Sequence, residues 1–372
     1  MSLSVIEPKT GPAGRSSFYP LLIRAVEPET AEAIVVTFDV PQPWRELFRF
    51  TQGQHLTLRA RIGGEEVRRS YSICSAVQDQ TLRVAIKLLP GGVFSQWAAA
   101  NLKAGATLEV MPPAGHFYVP LAAENRKHYA AFAAGSGITP VLSILKTTLI
   151  AEPRSSFALF YGNRTSESIL FRDELADLKD QFLGRFQLAH VLTREHQECE
   201  LFNGRLTPEK CEMLLNRLGC AADLDAIFIC GPQQMAEALA RKLKAMGVPE
   251  SRVKIELFSA AAAPPKPTVT APAAAAIGDC EVTLTADGRQ RSFTMARGGE
   301  SILDAALKRG IELRYSCKSG VCATCRSKLI AGQVEMDVNY SLEPEEVRRG
   351  FVLTCQSHPL TNQVKLDFDQ DN

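Results

Sequence analysis

Four cysteines near the C-terminus carry the most specific chemistry in the chain. Cys317, Cys322 and Cys325 stand as C-x4-C-x2-C, and Cys355 follows after a longer gap. This is the ligand spacing of a [2Fe–2S] cluster, in which one tight loop brings three thiolates to two irons and a distant segment brings the fourth. Gly320 lets such a loop turn sharply, and the small Ser319, Ala323 and Thr324 leave room for main-chain N–H groups to approach the sulfides. A four-thiolate zinc site is the alternative. Zinc ligands favour two separate pairs, and three cysteines this close together fit that pattern poorly. The other cysteines, at positions 74, 199, 211, 220, 230 and 280, read mostly as small core hydrophobes. Arg314, Lys318, Arg326 and Lys328 surround the loop, either as a solvated face or as a docking patch for an acidic partner.

Four further segments could hold organic cofactors. Arg68-Arg69-Ser70-Tyr71-Ser72-Ile73 combines a guanidinium, suited to phosphate, with a phenol and a small hydroxyl. Pro90-Gly91-Gly92-Val93-Phe94-Ser95 is a turn leading into a helix. Ala134-Gly135-Ser136-Gly137-Ile138-Thr139-Pro140 follows an apolar strand. Gly135 and Gly137 permit close backbone approach there, and Pro140 suits a first helical turn. The pattern is not G-x-G-x-x-G, so the usual dinucleotide fingerprint does not apply. Cys230-Gly231-Pro232, with Met235 beyond, follows a later strand, and Glu256-Leu257-Phe258 closes the region.

Together these segments resemble the ferredoxin–NADP reductase superfamily. The resemblance implies that Arg69 faces a flavin diphosphate, Tyr71 packs along the flavin ring and ribityl chain, and Ser72 bonds near its reactive nitrogen. It implies that Gly92, Val93 and Ser95 offer main-chain N–H groups and a hydroxyl to the diphosphate at a helix start. Gly135, Gly137, Thr139, Cys230 and Gly231 would then form the nicotinamide site, with Thr139 and Cys230 beside the ring and Phe258 approaching the flavin. Arg164, after the second strand of that region, stands where a carboxylate would favour NAD. Thr193-Arg194-Glu195 resembles the segment that holds a 2′-phosphate in plant-type members. NADPH is therefore expected, with NADH as the alternative. A nicotinamide gives two electrons as hydride and a [2Fe–2S] cluster takes one, so the flavin must lie between them. Ser72, Thr139 and Cys230 are the residues expected at the hydride step. His55, His116 and His358 read as structural.

Three textures must position these groups. From about 18 to 119, short alternating apolar runs such as Ile34–Phe38, His55–Leu58 and Leu82–Ile86 are broken by Gly53, Gly63-Gly64, Gly91-Gly92 and Pro112-Pro113. That pattern reads as an antiparallel β-barrel or sandwich. From about 127 to 258, strands Tyr129–Ala134, Phe157–Tyr161, Phe186–Leu192, Ala226–Cys230 and Val253–Leu257 alternate with helical stretches, implying an α/β parallel sheet. Residues 259–276 are nearly all Ala and Pro and read as a semi-rigid linker. Beyond them, Cys280–Thr285 and Arg291–Thr294 flank an Asp287-Gly288 hairpin turn, and Ser301 and Gly310 bracket a short helix. The expected domains are thus a flavin barrel at 16–122, a nicotinamide domain at 123–258, the linker, and an α+β β-grasp ferredoxin-type domain at 277–372.

The chain has 372 residues and a formal net charge of +1. That balance argues against a nucleic-acid or membrane-surface protein, and no apolar run is long enough for a bilayer. The N-terminal residues lack the pattern of a signal peptide, so the expectation is a cytoplasmic protein. This domain order is found in the reductase components of multicomponent oxygenases. The longer segments Gln52–Leu58, Tyr161–Thr165 with Phe171-Arg172, Tyr315–Cys325, Val338–Pro344 and Cys355–Pro359 resemble the reductase subunits of phenylacetyl-CoA epoxidases. That likeness implies FAD as the flavin and a separate diiron oxygenase as electron acceptor. A reductase serving a Rieske-type ring hydroxylase, such as a ketosteroid hydroxylase, is the alternative enzyme. A zinc-stabilised interaction module and a redox sensor are the others.

Overall fold

The computed structural model describes residues 14, 15, 17–258 and 278–370. The Ala/Pro stretch expected as a linker lies outside the described residues.

Strands β1 (Tyr19–Thr30), β2 (Ala33–Asp39), β3 (His55–Ile62), β4 (Glu65–Ser72), β5 (Leu82–Lys87) and, after helix α1 (Val93–Asn101), β6 (Thr107–Ala114) form one antiparallel sheet. Its order is β4-β3-β6-β1-β2-β5, and an Ile73–Val84 bridge joins the two ends into a barrel. Leu56, Leu58, Val84 and Ile86 point into its core, as their alternation requires. Pro112 and Pro113 do not end a strand as their type suggested. They sit within β6 at a register shift between the His55–Ala114 and Thr57–Met111 pairs, where the missing N–H groups break no ladder bond.

The second unit runs β7 (His128–Ala134), α2 (Ile138–Ala151), β8 (Ser156–Asn163), α3 (Arg172–Gln181), β9 (Phe186–Leu192), α4 (Pro208–Asn216), β10 (Ala226–Cys230), α5 (Gln233–Ala245) and β11 (Val253–Glu256). All five strands are parallel, in the order β11-β10-β7-β8-β9. Strands β7 and β10 are apolar on both faces because helices cover both sides. Helix α2 is buried nearly all round, since its outer face packs on Ala33, Val35, Cys74 and Ala85 of the barrel. The two units therefore share one core.

The third unit is a five-stranded mixed sheet, ordered β13-β12-β18-β14-β16, and a small β15–β17 pair. In chain order its elements are β12 (Asp279–Ala286), β13 (Arg289–Ala296), α6 (Ile302–Lys308), β14 (Arg326–Ala331), β15 (Val334–Met336), α7 (Pro344–Arg348), β16 (Phe351–Leu353), β17 (Ser357–Pro359) and β18 (Gln363–Asp367). Asp287 and Gly288 both take left-handed φ at the hairpin turn. Ser301 Oγ caps α6 by accepting a bond from the Asp304 N–H at 3.2 Å. Cys74, Cys211, Cys230 and Cys280 are core residues as expected, whereas Cys199 is half-buried and Cys220 is exposed. Among the described residues no helix is long and apolar enough to cross a membrane.

Candidate functional site

The end of β4 meets the ends of β10 and β11. Ser72 Oγ donates to Glu256 Oε2 at 3.1 Å, and Glu256 lies opposite Cys230 in the β10–β11 ladder. Burial pushes the Glu256 carboxyl up to about 8, with the Ser72 bond pulling the other way. The Cys230 thiol is fully buried and raised well above its ordinary range, first by desolvation and then by the charge on Glu256. It is a neutral thiol rather than a nucleophile.

The turn before α2 packs directly on this point. A Cβ on Gly137 would lie 2.1 Å from the Cys230 carbonyl oxygen, so no side chain fits there. Thr139 is buried in the first turn of α2, and its hydroxyl donates to the Ser136 carbonyl at 3.0 Å. A Cβ on Gly231 would meet Met235 Cε at 2.6 Å. Ser72, Thr139, Cys230, Gly137 and Gly231 are thus brought to one junction. Phe258 stands exposed, and it is Glu256, from the same tripeptide, that enters the junction.

The features suited to a diphosphate lie next to it. Tyr71 packs on Phe94 at 5.7 Å between ring centroids, which joins β4 to the start of α1. Helix α1 opens at Gly92–Val93 with no side-chain cap, leaving its first N–H groups for an anion. The Arg69 guanidinium donates to the Arg68 carbonyl at 2.7 Å and lowers the Tyr71 phenol against a larger upward push from burial. Ser95 differs from expectation. Its hydroxyl accepts from the Leu89 N–H at 3.1 Å and donates to the Gly92 carbonyl at 3.3 Å, so it braces the loop from within. The donor set of Arg69 and an uncapped helix start fits a flavin diphosphate.

Arg164, Thr193 and Arg194 come together at the carboxyl ends of β8 and β9, the edge where open parallel sheets bind ligands. The Arg194 N–H donates to the Arg164 carbonyl at 2.8 Å, and Thr193 Oγ1 donates to the Asn163 carbonyl at 3.3 Å. The Arg164 guanidinium ion-pairs with Glu32 of the β1–β2 turn, which also lies 3.9 Å from Lys87. Glu195 accepts from the N–H and hydroxyl of Ser166 at 2.7 and 2.8 Å and pins the neighbouring loop.

The cluster loop places the four cysteines as two pairs. Cys317 bonds to Cys322 and is pulled down to about 5; Cys355 bonds to Cys325 and is also lowered. The N–H groups of Ser319 and Cys322 reach Cys317 Sγ at 3.4 Å, and Gln356 Nε2 reaches Cys355 Sγ at 3.5 Å. Ser316 Oγ, beside Cys317, is buried and finds no partner among the described residues. Two thiol pairs fringed by N–H donors fit a two-iron cluster.

One residue links the two halves of the site. His55 sits opposite Ser72 in the β3–β4 ladder, and its Nε2 lies 3.2 Å from Thr324 Oγ1 on the cluster loop. Burial, and then His116, hold His55 near 4, so it is neutral at ordinary pH. Its residue type reads as structural, and nothing in the residue order signals this contact. His358 does have a carboxylate partner, Asp337 at 3.1 Å, brought up by the β15–β17 pair. A cavity of about 210 Å³ lies beside His55, lined also by Phe117, Glu256, Cys322 and Tyr340. Lys254 of β11 donates to both carboxylate oxygens of Glu343 at 2.7 and 2.9 Å across it.

Residues 21–118 match the oxidoreductase FAD-binding domain family, 132–241 the oxidoreductase NAD-binding domain family, and 284–360 the 2Fe-2S iron-sulfur cluster binding domain family. The chain is 46% identical over 95% of its length to a subunit of the 1,2-phenylacetyl-CoA epoxidase of Escherichia coli (strain K12), covering 98% of that protein. It is 33% identical to the ferredoxin reductase component of 3-ketosteroid-9-alpha-monooxygenase of Rhodococcus rhodochrous, over 94% of this chain and 96% of that one. Among solved structures, an intact type IV self-sufficient cytochrome P450 monooxygenase matches 98% of this chain with 42% of its own, at a TM-score of 0.71 and 21% identity, which is a likeness of fold. With the flavin, nicotinamide and cluster domains present in that order, the chain belongs to the family of NAD(P)H-dependent flavin and [2Fe–2S] reductases that serve as electron-transfer components of oxygenases.

Proposed function

We propose that this reductase draws electrons from NADPH and delivers them singly to a diiron oxygenase that epoxidises phenylacetyl-CoA. The observation that carries the reading is the short physical route from the flavin motif to the cluster loop. Ser72 lies across the ladder from His55, and His55 touches Thr324, next to the ligand Cys325. The choice of acceptor rests on the 46% identity to the E. coli epoxidase component.

In this reading Arg69, Gly92 and Val93 hold the FAD diphosphate, with Ser95 shaping their loop. Tyr71 covers the ring and Ser72 orients its reactive edge. Gly135, Gly137, Thr139, Cys230 and Gly231 form the floor for the nicotinamide, with the apolar Cys230 thiol excluding water. Glu256 accepts from the Ser72 hydroxyl and keeps its own proton up to about 8, beside the point where a proton must be managed. Cys317, Cys322, Cys325 and Cys355 hold the cluster. When bound, the flavin accepts hydride and gives up single electrons, and the cluster carries one electron at a time.

Arg164 and Arg194 select the 2′-phosphate. Replacing both with Ala is expected to raise the KM for NADPH by about tenfold, the scale of one charge-assisted bond, and to leave that for NADH nearly unchanged. Equal effects on the two would refute the assignment. The acceptor is tested by anaerobic NADPH titration of the purified reductase with the epoxidase oxygenase subunits or with a Rieske-type ketosteroid oxygenase. The expected result is electron transfer only to the first. Transfer only to the second would move this chain beside its 33% identical relative.

A further inference from the structure

Thr324 stands between two chemically different neighbours. Its hydroxyl lies 3.2 Å from His55 Nε2 of the barrel and also bonds to the Cys322 sulfur, one of the four cluster ligands. Both contacts are shut away from water, with Thr324 1% exposed and His55 4%. A chain of three groups therefore runs from strand β3 to a cluster thiolate, across the boundary between two domains.

Both sides of the contact are held in place. His55 is fixed by β3 opposite Ser72, and its ring packs on the bare Cα of Gly115, where a Cβ would lie 2.9 Å from Nδ1. Thr324 follows Ala323, whose φ of 51° is a conformation that alanine rarely adopts and that its surroundings must enforce. Burial keeps His55 neutral at ordinary pH, so its ring carries one N–H.

The direction of the bonds follows from the acceptors. A thiolate bound to iron has no proton and can only accept. The Thr324 hydroxyl proton then points at Cys322 Sγ, which leaves an Oγ1 lone pair for a donor. With its proton on Nε2, His55 is that donor. Two such bonds in series polarise each other. A hydrogen bond to a ligand sulfur stabilises the added negative charge of a reduced cluster and raises its potential.

We propose that His55 is a positioning residue that raises the cluster's reduction potential from the neighbouring domain, by donating to Thr324 and holding its hydroxyl proton on Cys322. The cluster is then a better electron acceptor with its loop seated on the flavin barrel than it would be apart from it. The inference rests on the reductase reading above and adds how the electron-donating domain governs the cluster it serves.

The test is an anaerobic redox titration of the full-length holoprotein with dithionite and mediators, followed by the EPR signal of the reduced cluster. Thr324→Val should make the cluster about tenfold harder to reduce, or about 59 mV in a one-electron couple. Thr324→Ser should stay near the wild type. His55→Phe should make it about threefold harder, the low end for one hydrogen bond, and His55→Gln, which keeps an N–H donor, should restore most of that. Adding His55→Phe to Thr324→Val should change nothing further, since His55 acts only through that hydroxyl. Shifts that add would assign His55 to packing and overturn the proposal, as would a wild-type potential in Thr324→Val. If Thr324→Val fails to hold its cluster, the two His55 variants decide. Equal falls in both, or none in either, overturn the proposal. Neither nicotinamide nor oxygenase enters the titration, so a wrong acceptor leaves its outcome untouched. A missing [2Fe–2S] signal in the wild type would overturn this inference and the reductase reading together.

Discussion

The barrel meets its two neighbours in different ways. Against the α/β domain it shares a core, and charges reinforce the seam. Lys146 of α2 bonds to Asp79 of the barrel at 2.9 Å and to Glu174 of α3 at 2.6 Å, and Arg83 approaches Glu174 at 3.5 Å. Glu29 accepts from the Phe171 N–H at 2.5 Å. Against the ferredoxin-type domain the barrel offers the His55–Thr324 bond and Arg68, whose guanidinium lies 4.0 Å over the Tyr315 ring. Hydride transfer needs two rings held in one geometry, and small displacements are costly. A single electron tolerates distance better than a hydride does. The rigid seam lies where the chemistry is position-sensitive, and the sparse one where it is not.

The largest effect should come from breaking the rigid seam. Lys146→Met leaves Asp79 and Glu174 facing each other with their shared cation gone, all three being mostly buried. The loss should be about 3 kcal/mol, the scale for removing one partner of a buried ion pair. Barrel and α/β domain should still melt as one transition in calorimetry, at lower temperature. Two separated transitions would break the comparison, because they would mean the seam is not a shared core.

A smaller effect sharpens the same seam through pH. Glu256 keeps its proton up to about 8 when folded, against 4.5 for an ordinary glutamate. Between those values the folded chain binds a proton that the unfolded chain has released. Stability from this group is therefore complete below about 4.5 and is lost as pH rises through 8. The wild-type Tm should fall by several degrees over that window, and Glu256→Gln should flatten the slope. An unchanged slope in the variant would show that Glu256 does not titrate there.

Much of this was legible in advance, for local reasons. Strands Phe186–Leu192 and Ala226–Cys230 end where their apolar runs end, and the cysteine spacing is a property of one loop. Even the His55–Ser72 pairing was within reach, since counting outward from the Gly63-Gly64 turn sets the two opposite each other. What the residue order could not show is which surfaces meet. Ser95 has the right type for phosphate yet turns inward, because a short side chain at a helix start finds its own backbone first. Arg164 faces Glu32, which is far away in the chain and ordinary in type.

The smallest effect belongs to a third seam, outside both of these. Lys254 and Glu343 form a two-point ion pair between the α/β and ferredoxin-type domains, with Glu343 the more exposed partner. Partial exposure limits its worth to about 1 kcal/mol or less. Lys254→Glu should leave the Tm almost unchanged, yet it places two carboxylates across the cavity beside Cys322 and pushes the cluster loop away from His55. Stopped-flow reduction of the cluster should slow several-fold while flavin reduction by NADPH keeps its rate. Adding Glu343→Lys restores the pair with its charges exchanged, and the cluster rate should recover. Recovery would separate a docking contact from a general loss of structure. A slow cluster in the double variant, at unchanged Tm, would instead assign Lys254 a role that needs its charge on β11 itself.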